Sequence, residues 1–247
     1  MLFVFGDSFS HDIRHFDDSN ALRIREKEFP EFISLENNWV NLVAKELTGT
    51  TEQVNESMAG CANEFIFHKL MNRMPEFKKG DYVIISLTAS NRRWLIERCP
   101  HLSNWANSKI DPNLEGSVTK SEHKAITQYA RYLHFDVAAD AIYNATYWAI
   151  VHAAVNLEPE GVKVLILPGF EPIRGVHSTL TTASAGEFDS IETLNKFYTK
   201  TNDARWNHFS EKNHQVLANK ICRFFRNYEP VDLSTEFEKN IYTKDNI

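Results

Sequence analysis

The sequence predicts an α/β fold, a mostly parallel sheet with helices on both faces. Three observations lead there. Short apolar runs, partly β-branched, stand at residues 2–5, 82–87 and 162–167; they are too short for helices and are bounded by turn residues. Between them lie longer stretches whose apolar residues recur every three to four positions, the period of an amphipathic helix. Strand and helix signals alternate along the chain, and parallel strands need such crossover connections. At 247 residues the chain can bury a full core.

The elements follow in order. Leu2 to Phe5 form a buried strand that runs into Gly6-Asp7-Ser8, where Gly6 is expected to supply the backbone angles of a sharp turn. A polar loop occupies residues 11–35. Trp39, Leu42, Val43 and Leu47 recur at helical spacing and Gly49 stops the helix. Residues 53–56 are a short second strand. Phe65, Ile66, Leu70 and Met74 mark a helix over 62–74, closed by Pro75. The third strand, 82–87, is entered from Lys78-Lys79-Gly80-Asp81, and the fourth, 162–167, is left at Pro168-Gly169. Residues 100–120 read as an insertion beside the active-site edge, and 121–157 as helix. A short helix is expected at 191–198. A longer one covers 210–227, with Ser210 as its N-cap and Val216, Leu217, Ile221, Phe224 and Phe225 on its inner face. Residues 1–230 are thus one domain, and 231–247 a polar, loosely held tail.

Composition narrows the function. A formal net charge of -6 leaves no electrostatic footprint for nucleic acid. No apolar run approaches the roughly 18 residues of a membrane span, and no basic stretch with a cleavage site opens the chain. The three cysteines, Cys61, Cys99 and Cys222, cannot all pair and form no CxxC, so reduced structural thiols are expected. A cytoplasmic protein fits, with release by lysis or incorporation into a larger particle left open. His11 and His15 are four apart, but no helix or further ligand cluster accompanies them, so no metal is expected. No GxSxG, GxxxxGK[ST] or HExxH motif occurs, and no cofactor is expected. A phosphate-cradling reading of residues 6–10 would leave Asn91 and His208 unexplained.

The carboxyl ends of parallel strands are where α/β sheets bind ligands, and several reactive residue types follow such ends. Ser8 follows the first strand; it is either a nucleophile or a turn residue bonded to the backbone. Gly60, in the segment 55–63, offers an unhindered N–H at a helix start. Asn91 follows the third strand and can donate its side-chain amide. His208 precedes the last helix and is a candidate base, with Asp203 either its orienting partner or a surface acid. His214, one turn into that helix, reads as structural. Trp94 and Trp206, with Trp105, Tyr129 and Tyr132, lie around these segments. They suit the faces of a sugar or, equally, fill the core.

These blocks resemble those of the SGNH hydrolases, the superfamily of GDSL esterases and lipases. Gly6-Asp7-Ser8 matches the block that carries the nucleophilic serine, and Gly60 matches the second-block glycine. Ala89-Ser90-Asn91-Arg92 keeps the asparagine of the Gly-x-Asn-Asp block and loses its flanking residues. His208 matches the last block, Asp-x-x-His, but Arg205 stands where the acid belongs, and Asp203 is the nearest upstream acid. Four short blocks in the right order span most of the chain.

The resemblance implies a three-layer α/β/α sandwich, flavodoxin-like, with a parallel sheet of about five strands. It implies a serine esterase without cofactor. Ser8 is the nucleophile, His208 the base, Asp203 its orienter, and Ser8, Gly60 and Asn91 form the oxyanion hole. Asp7 supports the turn. The expected substrate is a short-acyl ester, with an O-acetyl group on a carbohydrate preferred and Trp94 and Trp206 binding it. The alternative is a catalytically inactive SGNH-fold binding or structural protein.

Overall fold

The computed structural model describes residues 1–7, 10–11, 36–58, 61–88, 92, 94, 119–122, 124–125, 128, 138–158, 160–168, 209–233 and 235–238, with the backbone alone for 138–143. In chain order the elements are β1 (Leu2–Phe5), α1 (Trp39–Thr48), β2 (Val54–Asn55), α2 (Asn63–Arg73), a 3-10 turn (Met74–Glu76), β3 (Tyr82–Leu87), α3 (Ala138–Leu157), β4 (Lys163–Pro168) and α4 (Glu211–Asn227). The strands form one sheet in the order β2-β1-β3-β4, and every pairing is parallel. Leu2 lies opposite Tyr82, and Tyr82 opposite Lys163, so the three longer strands start level. Four strands, rather than about five, stand among the described residues.

Side chains alternate across a strand, and that alternation divides the core in two. Leu2, Val4, Ile84, Leu165 and Leu167 face α1 and α4. Phe3, Phe5, Val83, Ile85, Leu87, Val164 and Ile166 face α2 and α3. Helices therefore cover both faces, which is why the strands read as unbroken apolar runs rather than alternating ones.

The helix ends obey their local chemistry. Asn38 caps α1 by accepting from the Asn41 N–H at 3.0 Å, and Gly49 ends it at φ 78°. Ser210 Oγ accepts from the Asn213 N–H at 3.3 Å and starts α4. Pro75 falls in the 3-10 turn that tightens the end of α2, since proline has no N–H to extend the helix.

The direction of α4 follows from its far end. Lys163 Nζ donates to the Phe225 carbonyl at 3.0 Å, and the Tyr82 ring lies 5.1 Å from that of Phe225. Lys163 and Tyr82 open their strands, so α4 ends at the amino edge of the sheet and begins toward the carboxyl edge. The helix α1 runs alongside in the same sense. Asn37 Nδ2 donates to Glu211 at 2.8 Å near the helix starts, and Arg226 reaches Glu46 at 2.5 Å near their ends.

One expectation is corrected. In the expected tail, 231–247, the described residues 231–233 and 235–238 are not loose: Val231, Leu233 and Phe237 are buried in the α1–α4 core, and 234 and 239–247 lie outside the described residues. Polar composition hid three spaced apolar residues that fill the groove beside α4. Asn213 also clamps this segment, donating to the Glu238 carbonyl at 3.1 Å and accepting from its N–H at 2.8 Å. The expected insertion at 100–120 and helix at 191–198 lie outside the described residues, apart from 119 and 120. Among the described residues no helix is long and apolar enough to cross a membrane.

Candidate active-site edge

β1 ends in a crowded turn. A Cβ built on Gly6 would lie 2.9 Å from Ser86 Cβ and 3.1 Å from the Ser86 carbonyl oxygen, and would also collide with Ser10 Oγ. Glycine is therefore required for space, because the chain presses against β3. The expected need for unusual backbone angles is replaced by this contact; among the described residues the glycines with positive φ are Gly49, Gly80 and Gly161. Gly6→Ala is expected to destabilise the fold by about 1–3 kcal/mol, the cost of overpacking a filled site. Urea unfolding checks this, and an unchanged midpoint would mean that the turn has room.

Asp7 follows, fully buried. Its carbonyl accepts from the Ser10 N–H at 3.1 Å and from Ser10 Oγ at 3.2 Å, closing a turn across residues 7–10. Its carboxylate Oδ2 accepts from Arg92 Nη1 at 2.9 Å and from Thr88 Oγ1 at 3.4 Å. Arg92 Nη1 also donates to Thr88 Oγ1. Thr88 extends β3 by one residue and is clamped by Asn63 at the start of α2. The Asn63 amide donates to the Thr88 carbonyl at 3.0 Å and accepts its N–H at 2.9 Å. A buried charge is tolerated when it is paired and hydrogen-bonded, and Asp7 is both.

The segment after β2 lies along the same turn. The Glu56 N–H donates to the Val4 carbonyl at 2.8 Å and the Met58 N–H to Gly6 at 2.9 Å, carrying the parallel ladder past the end of the strand. Asn55 Nδ2 donates to the Ser10 carbonyl at 2.8 Å. Cys61 Sγ donates to the Gly6 carbonyl at 3.2 Å. Burial, then the Asp7 carboxylate, push this thiol far above the ordinary cysteine range, so Cys61 is a neutral packing group rather than a nucleophile. Burial opposes ionisation of Glu56, but hydrogen bonds from Lys69 and Arg73 of α2 outweigh it and hold that carboxyl below its ordinary value.

The start of α4 completes the edge. Phe209 is buried against His214 and Phe237, with ring centroids 5.6 Å and 5.9 Å away. His214 Nδ1 accepts from the Trp39 N–H at 3.1 Å. His214 thereby satisfies a donor at the start of α1 that the helix itself leaves unpaired.

Of the expected site residues, Ser8, Gly60, Asn91, Asp203, Trp206 and His208 lie outside the described residues, as do Trp105, Tyr129 and Tyr132. Ser8, Gly60, Asn91 and His208 each have a described chain neighbour. Asp7 precedes Ser8, Cys61 follows Gly60, Arg92 follows Asn91, and Phe209 follows His208. Asp7, Cys61 and Arg92 are brought together directly, by the contacts of Asp7 with Arg92 and of Cys61 with Gly6. Phe209 stands at the start of α4, toward the same edge. Trp94 is half-buried, its ring edge-on to Phe65 at 5.5 Å and 5.1 Å from His68. It packs on α2 through these two rings.

Sequence reasoning missed the Asp7–Arg92–Thr88–Asn63 network. The available signal is Asp7 itself: an acid held tightly at the end of a buried strand needs a cation, and Arg92 follows the end of β3. The chain matches no protein-family model, and a search of curated proteins gives no match.

Proposed function

We propose that the protein is a serine ester hydrolase of the SGNH type, acting on short acyl esters, with an O-acetylated carbohydrate as the substrate class. One observation carries the reading: Asp7 Oδ2 and Arg92 Nη1 are 2.9 Å apart, so the neighbours of Ser8 and Asn91 are in contact. An oxyanion hole needs donors about 2.7–3.1 Å from the developing charge. Two segments locked side by side at the carboxyl edge can supply a nucleophile and such a donor. In the chain Gly60 stands between Met58 and Cys61, both of which bond to the Gly6 carbonyl, and His208 immediately precedes the buried Phe209.

The mechanism is acyl transfer. Ser8 Oγ attacks the ester carbonyl while His208 accepts its proton. The tetrahedral oxyanion takes hydrogen bonds from the Ser8 N–H, the Gly60 N–H and the Asn91 amide. His208 then protonates the leaving alcohol, and water repeats the cycle on the acyl-enzyme. Support for a sugar comes from the aromatic residues of these segments, Trp94 and Trp206 among them, whose faces suit a sugar ring.

Hydrolysis of p-nitrophenyl acetate and octanoate by the purified chain tests the reading. Acetate is expected to be cleaved with the higher kcat/KM, because no long apolar lid is evident in the sequence. The reverse order would mean a lipase-like groove. No turnover of either ester would favour a non-catalytic SGNH-fold binding protein, a reading for which Arg205 in the acid position speaks.

A further inference from the structure

We propose that Arg92 is a positioning residue of this site, holding the loop after β3 against the turn after β1 and neutralising the buried Asp7 carboxylate beside the nucleophile. This role rests on the ester-hydrolase reading and extends it to a residue at which the chain departs from the family pattern.

The geometry has three parts. Asp7 is fully buried and Arg92 has 15% of its side chain exposed, so water screens their 2.9 Å contact poorly. Arg92 Nη1 donates to both Asp7 Oδ2 and Thr88 Oγ1, and Thr88 Oγ1 reaches the same Oδ2. Thr88 is itself fixed on both backbone groups by Asn63. The guanidinium thus joins the β1 turn to a β3 exit that α2 already holds. Arginine suits this place because its planar fork offers several fixed donors, which a lysine lacks.

The charge matters as much as the link. Acyl transfer places a negative oxygen close to Ser8 in the transition state, and an unbalanced carboxylate one residue away would repel it. The ground-state ester is neutral and feels that charge far less. Loss of Arg92 should therefore act on kcat and spare KM. A purely structural role would instead lower the amount of folded enzyme without changing turnover per active site.

The experiment measures kcat and KM for p-nitrophenyl acetate, with active sites counted by fluorophosphonate titration, for wild type, Arg92→Gln, Arg92→Lys and the double variant Asp7→Asn/Arg92→Gln. Arg92→Gln is expected to lower kcat per site by about 10²-fold with KM within about threefold, the pattern of a lost transition-state interaction. Arg92→Lys should retain kcat within about tenfold of wild type, because it keeps the charge and loses the fork. The double variant removes both charges and leaves two amides that can bond to each other. It should exceed Arg92→Gln by about tenfold or more, a coupling of the size contacting groups show.

Arg92→Gln with kcat within about threefold of wild type would overturn the proposal, as would a double variant no faster than Arg92→Gln. Should Arg92→Gln fail to fold, the double variant is read against wild type. It is expected within about tenfold, and a fall of about 10²-fold or more would overturn the charge-balancing role. A wild-type chain that neither cleaves the ester nor takes up the phosphonate removes the ester-hydrolase reading and this role with it. An active wild type with an indifferent Arg92→Gln removes the role alone.

Discussion

Ser8→Ala is expected to lower kcat for p-nitrophenyl acetate by about 10⁴-fold or more while leaving the fold intact. Removing a nucleophilic serine leaves only the catalysis that binding and the oxyanion hole provide. The turn should survive, because its described contacts are made by neighbours of Ser8: Gly6 packs on Ser86, and the Asp7 carbonyl takes both Ser10 donors. The same variant should fail to take up a fluorophosphonate that labels the wild-type chain once, at Ser8. Wild-type kcat/KM should rise with pH through an apparent pKa of about 6–7 as His208 loses its proton. Mass spectrometry placing the adduct on another residue, or an alanine variant with unimpaired turnover, would move the nucleophile elsewhere.

Asp203→Asn is expected to lower kcat by up to about 10⁴-fold, the loss seen when the acid that orients a catalytic histidine becomes an amide. The usual acid position, three residues before His208, holds Arg205. Arginine carries donors only and cannot accept the imidazole N–H. It would also repel the imidazolium formed in the transition state. Asp203 lies two residues further upstream, and a bulge in the loop would bring it within reach. The described residues supply a firm anchor for such a loop, since Phe209 is buried and Ser210 caps α4. A loss below about tenfold would mean that the enzyme runs on a Ser–His dyad, or on a backbone carbonyl in place of the acid. A crystal structure with the Asp203 carboxylate beyond about 4 Å from His208 Nδ1 would reject the pair directly.

Where the sequence and the structure agree, the information is short-range. The strand at 82–87 matches β3 end for end, and Ser210 and Gly49 cap the helices that their residue types announce. Such features depend on a few consecutive residues, on period and on capping chemistry. Where they differ, the deciding contact joins distant parts of the chain. The residues after 230 read as polar, yet Val231, Leu233 and Phe237 are apolar anchors among the described ones, and their fit depends on the groove beside α4. Gly6 looked like a residue chosen for its angles, and Ser86, eighty positions away, shows that it is chosen for its lack of a side chain.

For this protein the sequence by itself determined the alternation of strand and helix among the described residues, the caps at Gly49 and Ser210, and the order of the Gly6-Asp7-Ser8, Gly60, Asn91 and His208 segments. Only the tertiary structure decided that Arg92 pairs with Asp7 across 85 positions, and that Asn63 holds Thr88 across 25. The physical reason is the same for both. A buried polar group must find a partner, and its partner is set by which strand ends lie side by side. In the order β2-β1-β3-β4, β1 lies between β2 and β3, so the exits of strands far apart in sequence converge on one turn.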